Sequence, residues 1–258
     1  MGLTLDYHVT SPANEQIKRL VRLRERRHRD AEGVFLVEGE LLYRRALAAG
    51  LRPSGVFTDA TSDIEGDVVT VEPSVLDKAS YRQRSQGVIA VFPQFETGLA
   101  LLELSSSPLI LIAEDIEKPG NLGAMMRTAA AAGVDALITV GSTVDPFNPN
   151  TIRASTGALF TVPLAVSSWA ETAPWLDEHG IHLIGASPDA AETAWETNLT
   201  GPVALVIGAE DKGLSEQAAS LAERSVLIPQ SAGGVDSLNA SVAAAVLLFE
   251  AVRQRSVP

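Results

Sequence analysis

The chain has no cysteine, and its 258 residues include only four histidines and 5% aromatic side chains. Disulfides, thiolate nucleophiles and cysteine-held metals are thereby excluded. The histidines (His8, His28, His179 and His182) are scattered without the spacing of a zinc site, so no catalytic metal is expected. Long apolar runs are also missing, since none approaches the ~20 residues of a membrane-spanning helix. The first residues lack an apolar core followed by a small-residue cleavage site, so no secretion leader is expected. These absences together predict a cytoplasmic protein with no membrane partner. Positive charge is scarce as well. A net charge of −12 argues at first against nucleic acid, because phosphate binding is mainly electrostatic.

The distribution of charge softens that objection. Between Lys18 and Arg29 stand Lys18, Arg19, Arg22, Arg24, Arg26, Arg27 and Arg29 against the single acid Glu25. Such a run is either a solvated helix face or an RNA-backbone patch, for which Arg22, Arg26 and Arg29 are the candidates. The bulk composition, 46% hydrophobic and 20% charged, is that of a globular protein with ample core.

Residues 1–10 read as a loose leader. A helix is predicted from Ser11 and Pro12, with Ile17, Leu20, Val21 and Leu23 as its apolar stripe beneath the arginines. Short strands at Phe35–Val37, Val56–Phe57, Val68–Val71 and Val88–Phe92 alternate with helices from Glu40 and Pro73, so residues 1–92 read as a small α/β domain. Residues 93–107 read as a linker containing a short helix. From Pro108 to the end, apolar strands at 109–113, 136–140, 160–166, 181–186, 203–207 and 226–228 alternate with helices at 123–132, 168–178, 215–222 and 238–253. Apolar runs between helices imply a parallel sheet covered on both faces. For the last helix, Leu238, Val242, Ala245, Val246, Phe249 and Val252 form the apolar face, and Arg253 and Arg255 suit its negative end.

Three glycine-bearing or polar loops follow such strands. They are Pro119-Gly120-Asn121-Leu122-Gly123, Gly208-Ala209-Glu210-Asp211-Lys212-Gly213-Leu214-Ser215, and the stretch from Pro229 to Asn239. Ligands of open parallel sheets bind at the carboxyl ends of strands, so these loops are expected to line one crevice. A dinucleotide-binding domain is disfavoured: the first loop is not GxGxxG, and the next strand ends Val140-Gly141-Ser142 with no acid for a ribose.

In order and separation, these loops resemble the motifs of the SpoU (TrmH-like) RNA ribose 2′-O-methyltransferases of the SPOUT superfamily. The matching residues are Glu117-Lys118-Pro119-Gly120-Asn121-Leu122-Gly123 leading to Arg127-Thr128-Ala129, then Gly208–Ser215, then Ile228-Pro229 and Ser237-Leu238-Asn239-Ala240. Upstream, Leu36–Gly39 and Gln86–Val91 are similar to pieces of the family's substrate-binding domain. One departure stands in the third motif. Gln230 replaces the family's methionine, and seven residues, Gln230–Asp236, separate Pro229 from Ser237.

The resemblance implies a C-terminal parallel-sheet domain with a deep trefoil knot, a homodimer, and S-adenosylmethionine as cofactor. It places the cofactor at Gly208, Glu210, Ile228 and Leu238. It gives Arg127 a role at the reacting hydroxyl, with Asn121, Ser237 and Asn239 orienting the ribose or Arg127. The expected reaction is methylation of a ribose 2′-hydroxyl in RNA, most simply ribosomal RNA. The alternatives are a transfer-RNA 2′-O-methyltransferase and a non-catalytic RNA-binding protein that keeps the fold.

Overall fold

In the computed structural model, which describes residues 8–61, 64, 67–82, 84–231 and 237–256, the apolar runs build two separate sheets. The elements up to the second sheet are β1 (His8–Val9), α1 (Glu15–Arg22), α2 (Arg26–Glu32), β2 (Val34–Glu38), α3 (Glu40–Ala48), β3 (Gly55–Thr58), β4 (Val69–Val71), α4 (Pro73–Ala79) and β5 (Val88–Pro93). Their strands form a five-stranded sheet in the order β1-β4-β3-β5-β2, antiparallel only where β5 meets β3 and β2. Period-two alternation sends Leu36, Ile89 and Val91 to one face, where they pack with Ile17, Leu20 and Leu23 and with Val75, Leu76 and Ala79 of α4. Phe35 and Phe92 point to the other face.

The predicted single N-terminal helix is two helices. α1 ends at Arg22, and the run turns at Leu23–Glu25 before α2 begins. Arg24 leaves the presumed basic face and donates to the carbonyls of Lys78, Ala79 and Ser80 at the end of α4. Arg29 is 1% exposed and donates to the carbonyls of Leu23 and Arg24. It thereby satisfies acceptors that the break between the helices leaves over. Arg29 is thus not available to an RNA backbone, which corrects the expectation for that residue. Val21, expected in the apolar stripe, is exposed.

The remaining elements are β6 (Leu109–Glu114), α5 (Pro119–Ala132), β7 (Ala136–Val140), α6 (Pro149–Ser155), β8 (Leu164–Ser167), α7 (Trp169–Glu178), β9 (His182–Ala186), β10 (Glu192–Thr193), β11 (Val203–Ile207), α8 (Glu216–Leu221), β12 (Arg224–Leu227) and α9 (Ala240–Arg255). The strands form a seven-stranded, wholly parallel sheet in the order β10-β12-β9-β11-β6-β7-β8. Phe160, expected in a strand, ends a short 3-10 helix instead. Residues 93–107 are not a free tether. Leu99–Leu101 form a 3-10 turn, and Leu99, Leu102 and Leu104 pack against the core around Ile110 and Ile138.

Two compact units result. One holds the residues up to Phe95 together with Phe147–Phe160; the other holds Glu96–Pro146 and the residues from Thr161 onward. The aromatic side chains explain the excursion. Phe147 and Phe160 stack on Phe35 at 5.2 and 6.2 Å, beside Phe92 and Phe95, so five of the chain's seven phenylalanines gather on that face of the first sheet.

α9 corrects the expected apolar face. Its buried apolar positions are Ala240, Ala244, Leu247, Leu248 and Ala251, whereas Val242 and Phe249 are 46% and 48% exposed. The sequence Val242–Val252 is apolar nearly all round, so spacing alone defines two overlapping stripes. Arg255 does more than meet a helix dipole: its guanidinium donates to the carbonyls of Ser107, Pro108, Leu199 and Gly201. Among the described residues no helix is long and apolar enough to cross a membrane.

Candidate active site

Because every strand of the second sheet is parallel, the loops after β6, β11 and β12 leave from one edge. The register pairs Ile207 with Ala113, so the loops after β6 and β11 emerge side by side. At that edge lies a cleft of about 440 Å3. Gly208 and Glu210 line it from the loop after β11, Ile228 and Gln230 from the chain after β12, and Ser237 and Leu238 from the approach to α9. All the residues expected at a cofactor are thus brought together. Most of the seven-residue stretch in the third motif, 232–236, lies outside the described residues.

Gly208 is required by its surroundings. A Cβ there would meet the carbonyl oxygen and carbon of Gly213 at 2.2 and 2.3 Å and the amide nitrogen of Leu214 at 2.5 Å. Gly213 returns the chain with φ +67° and donates its N–H to the Ala209 carbonyl at 2.9 Å. The loop is therefore a closed turn folded back on the end of β11.

The first motif is not a loop but the opening of α5. Pro119 occupies the first helical turn, where its missing N–H costs nothing, so the helix starts four residues before Gly123. This places Asn121 in the first turn, and its amide joins the three motifs. Its NH2 donates to the carboxylate of Glu210, and its carbonyl accepts from Asn239 Nδ2 at 3.1 Å. Asn239 caps α9, its carbonyl accepting the N–H of Ser241 at 3.0 Å and that residue's hydroxyl at 2.7 Å. Each amide has one orientation that satisfies both neighbours, so the network is directional.

This network predicts the behaviour of Asn121→Asp. The substitution sets a second carboxylate against Glu210, and two like charges at hydrogen-bonding distance cannot both ionise freely. Ligand uptake at the cleft should fall more than tenfold at pH 8 and recover on acidification, as one carboxyl takes a proton. A pH series of calorimetric titrations checks this; equal losses at every pH would mean that charge is not the cause.

Arg127 lies six residues after Asn121, about 9 Å along the helix. It is exposed and makes no hydrogen bond or ion pair among the described residues. It does not line the cleft. In the first unit, Arg22 and Arg26 are exposed, but Arg26 pairs with Asp30 at 3.2 Å. Arg19 and Arg27 likewise pair with Glu32 and Glu25 at 2.7 and 2.8 Å. Much of the local positive charge is therefore matched on its own surface.

Sequence reasoning missed Glu114. It ends β6, is 2% exposed, and accepts from the Trp169 indole at 2.6 Å and from the Ser215 hydroxyl and N–H at 2.6 and 3.0 Å. It pins the end of the second motif, where Ser215 caps α8, to the end of β6. The only signal was an apolar run closing on Glu114-Asp115.

Comparison with known proteins matches residues 108–249 to the SpoU rRNA methylase family and residues 14–90 to the MRM3-like substrate binding domain. The 23S rRNA (guanosine-2′-O-)-methyltransferase RlmB of Ralstonia nicotianae is 39% identical over 179 residues, covering 67% of this chain and 72% of that protein. Among solved structures, an RNA 2′-O ribose methyltransferase superposes with a TM-score of 0.86 at 39% identity, covering 97% of this chain and all of that one, its coverage being 100%. An AdoMet-bound rRNA methyltransferase from Sinorhizobium meliloti superposes with a TM-score of 0.87 at 30% identity, over 95% of this chain and 97% of that one.

Proposed function

The chain belongs to the SpoU rRNA methylase family, and from that premise we propose that it transfers a methyl group from S-adenosylmethionine to a ribose 2′-hydroxyl of ribosomal RNA in the cytoplasm. The observation that carries this reading is the convergence of the second and third motifs on one cleft, with the first motif tied to both by the hydrogen bonds of Asn121 to Glu210 and Asn239. Residues 14–90, matched to a substrate-binding domain, suit a large structured RNA.

The cleft fits the cofactor. Its volume of about 440 Å3 lies in the range of small-molecule sites. Ile228 and Leu238 give an apolar rim suited to adenine, and Gly208 leaves bare backbone for close approach. When bound, the cofactor supplies an electrophilic methyl on a sulfonium, so no metal is needed to activate it.

The chain's own task is to align the ribose oxygen and manage its charge, and alignment alone is worth up to about 7–11 kcal/mol. Arg127 holds the target phosphate through its guanidinium fork and stabilises negative charge growing on the 2′-oxygen. It does not take the proton, because a guanidinium stays protonated; the hydroxyl proton passes to solvent water as the oxygen gains the methyl group. Asn121, Ser237 and Asn239 fix the cleft around the ribose, and Glu210 orients Asn121. Incorporation of tritiated methyl from S-adenosylmethionine into RNA lacking the modification tests the reaction. The reading expects label at a ribose of ribosomal RNA; label on transfer RNA alone, or none, overturns it.

Arg22 and Arg26 act as minor backbone contacts. Replacing both with alanine should flatten the log–log salt dependence of RNA binding by about one unit, less than two free charges would give, because Arg26 is shared with Asp30. An unchanged slope removes α1 and α2 from the interface.

Two further features belong to the same proposal. The exposed stripe of Val242 and Phe249 on α9 is the contact between two copies of the chain. Phe249→Glu should convert a dimer to a monomer in sedimentation, and a monomeric parent protein would refute the contact. The parallel-sheet domain carries a deep trefoil knot. Stretching the chain from its two ends should then leave it shorter than a fully extended, unknotted chain.

A further inference from the structure

The first unit holds a separate cavity of about 300 Å3, bounded by Glu38, Glu40, Leu41, Gln86, Arg153 and Thr156. Arg153 and Thr156 come from the Phe147–Phe160 segment, which in sequence falls inside the stretch matched to the methylase family and outside that matched to the substrate-binding domain. That segment is firmly seated. Phe147 and Phe160 stack on Phe35, the Arg45 guanidinium donates to the Thr156 carbonyl, and Gly157, with φ +95°, leaves room for the Arg45 stem.

The charged groups around the cavity differ in their hydrogen bonding. Glu38 is committed, accepting from the Ser80 hydroxyl at 2.9 Å and the Tyr81 N–H at 2.6 Å. Glu40 is paired with Arg44 at 2.8 Å. Arg153 is half-buried yet makes no hydrogen bond or ion pair among the described residues. Burial, and then the positive charge of Arg82, push its pKa down, with Glu38 offsetting only part of this. Arg153 feels the negative charge of Glu38 but makes no hydrogen bond to it, so its guanidinium donors remain open to a second anion.

The rest of the cavity suits more than a bare anion. Gly39 has φ +92°, and a Cβ there would lie 2.8 Å from Gln86 Oε1, so this glycine allows the Gln86 amide to lie across the backbone. That amide offers a donor and an acceptor together, and the adjoining Leu41 is 63% exposed.

We infer that this cavity is a nucleotide subsite for the RNA substrate, in which Arg153 grips a backbone phosphate and Gln86 meets the edge of the adjoining base against Leu41. The inference rests on the reading of the protein as an RNA methyltransferase. It makes the recognition surface of the first unit dependent on a segment supplied from within the methylase sequence. Unstacked bases read on their edges beside a held phosphate are a common mode of RNA recognition.

The test is equilibrium binding of ribosomal RNA fragments to the full chain without cofactor. Arg153→Gln should weaken binding about tenfold and reduce the salt slope by about one unit, whereas Arg153→Lys should retain the slope. Gln86→Ala should weaken binding without changing the slope. Inorganic phosphate and a nucleoside monophosphate form the second arm. If Arg153→Gln abolishes phosphate binding but leaves RNA affinity unchanged, the site takes free anions and the RNA assignment is overturned. Unchanged RNA affinity and slope in Arg153→Gln also overturn it. Thermal unfolding and uptake of S-adenosylmethionine by each variant show that it is folded. RNA binding that depends on Arg153, without methyl transfer by the parent protein, would sink the methyltransferase reading and leave the subsite standing.

Discussion

Arg127→Ala should lower kcat/KM for methyl transfer about a thousandfold while changing the affinity for S-adenosylmethionine less than threefold. The size follows from the chemistry: removing one preorganised charge that stabilises a developing oxyanion costs about 10²–10³ in rate. The loss of the phosphate grip adds to it through misalignment of the ribose. The selectivity follows from position. Arg127 projects from α5 into solvent, makes no bond to the Asn121–Glu210–Asn239 network and does not line the cleft, so its removal leaves the cofactor cradle intact. Arg127→Lys keeps the charge but loses the planar fork, and should recover only a small part of the rate. Single-turnover kinetics beside calorimetry separate the two quantities. Full turnover in Arg127→Ala would remove the residue from the reaction, and a parallel loss of cofactor affinity would make it structural.

Gly208→Ala should have the opposite profile, with cofactor affinity falling about a hundredfold, equivalent to roughly 2.7 kcal/mol. A methyl group at this position collides with the backbone of Gly213 and Leu214, not with the yielding end of a side chain. The turn must open, and overpacking of this kind costs about 1–3 kcal/mol in addition to displacing the cradle. Gly213 supplies the internal control. Its conformation is left-handed, but nothing lies within 4 Å of its would-be Cβ. Gly213→Asn should therefore be tolerated, since asparagine adopts that conformation at low cost. If both substitutions are equally harmful, strain at the turn and not the close approach at Gly208 sets the cradle.

Where the chain alternates apolar strands with helices, its sequence is a good guide. The strands at 136–140 and 203–207 stand as read, because fully buried parallel strands have no choice but to be continuous apolar runs. The convergence of Gly208, Glu210, Ile228, Ser237 and Leu238 on one cleft follows from the same parallel edge. Other features depend on partners far away in sequence. Asn121 is expected to orient the ribose or Arg127, but no spacing in the sequence reveals that its amide lies between Glu210 and Asn239. Arg29 looks like one more surface arginine until the helix break gives it carbonyls to satisfy. α9 misled because a helix apolar on nearly all sides carries no directional signal, and Leu247 and Leu248 won the core over Val242 and Phe249. The seating of Phe147–Phe160 on the first unit was illegible because it rests on aromatic contacts across more than a hundred residues of chain.

Titration calorimetry of S-adenosylmethionine into the purified chain tests the central claim most directly. The account predicts saturable binding of one molecule per chain, strongly weakened by Gly208→Ala and unaffected by Arg127→Ala. No measurable uptake by the parent chain, or uptake indifferent to Gly208→Ala, would contradict it.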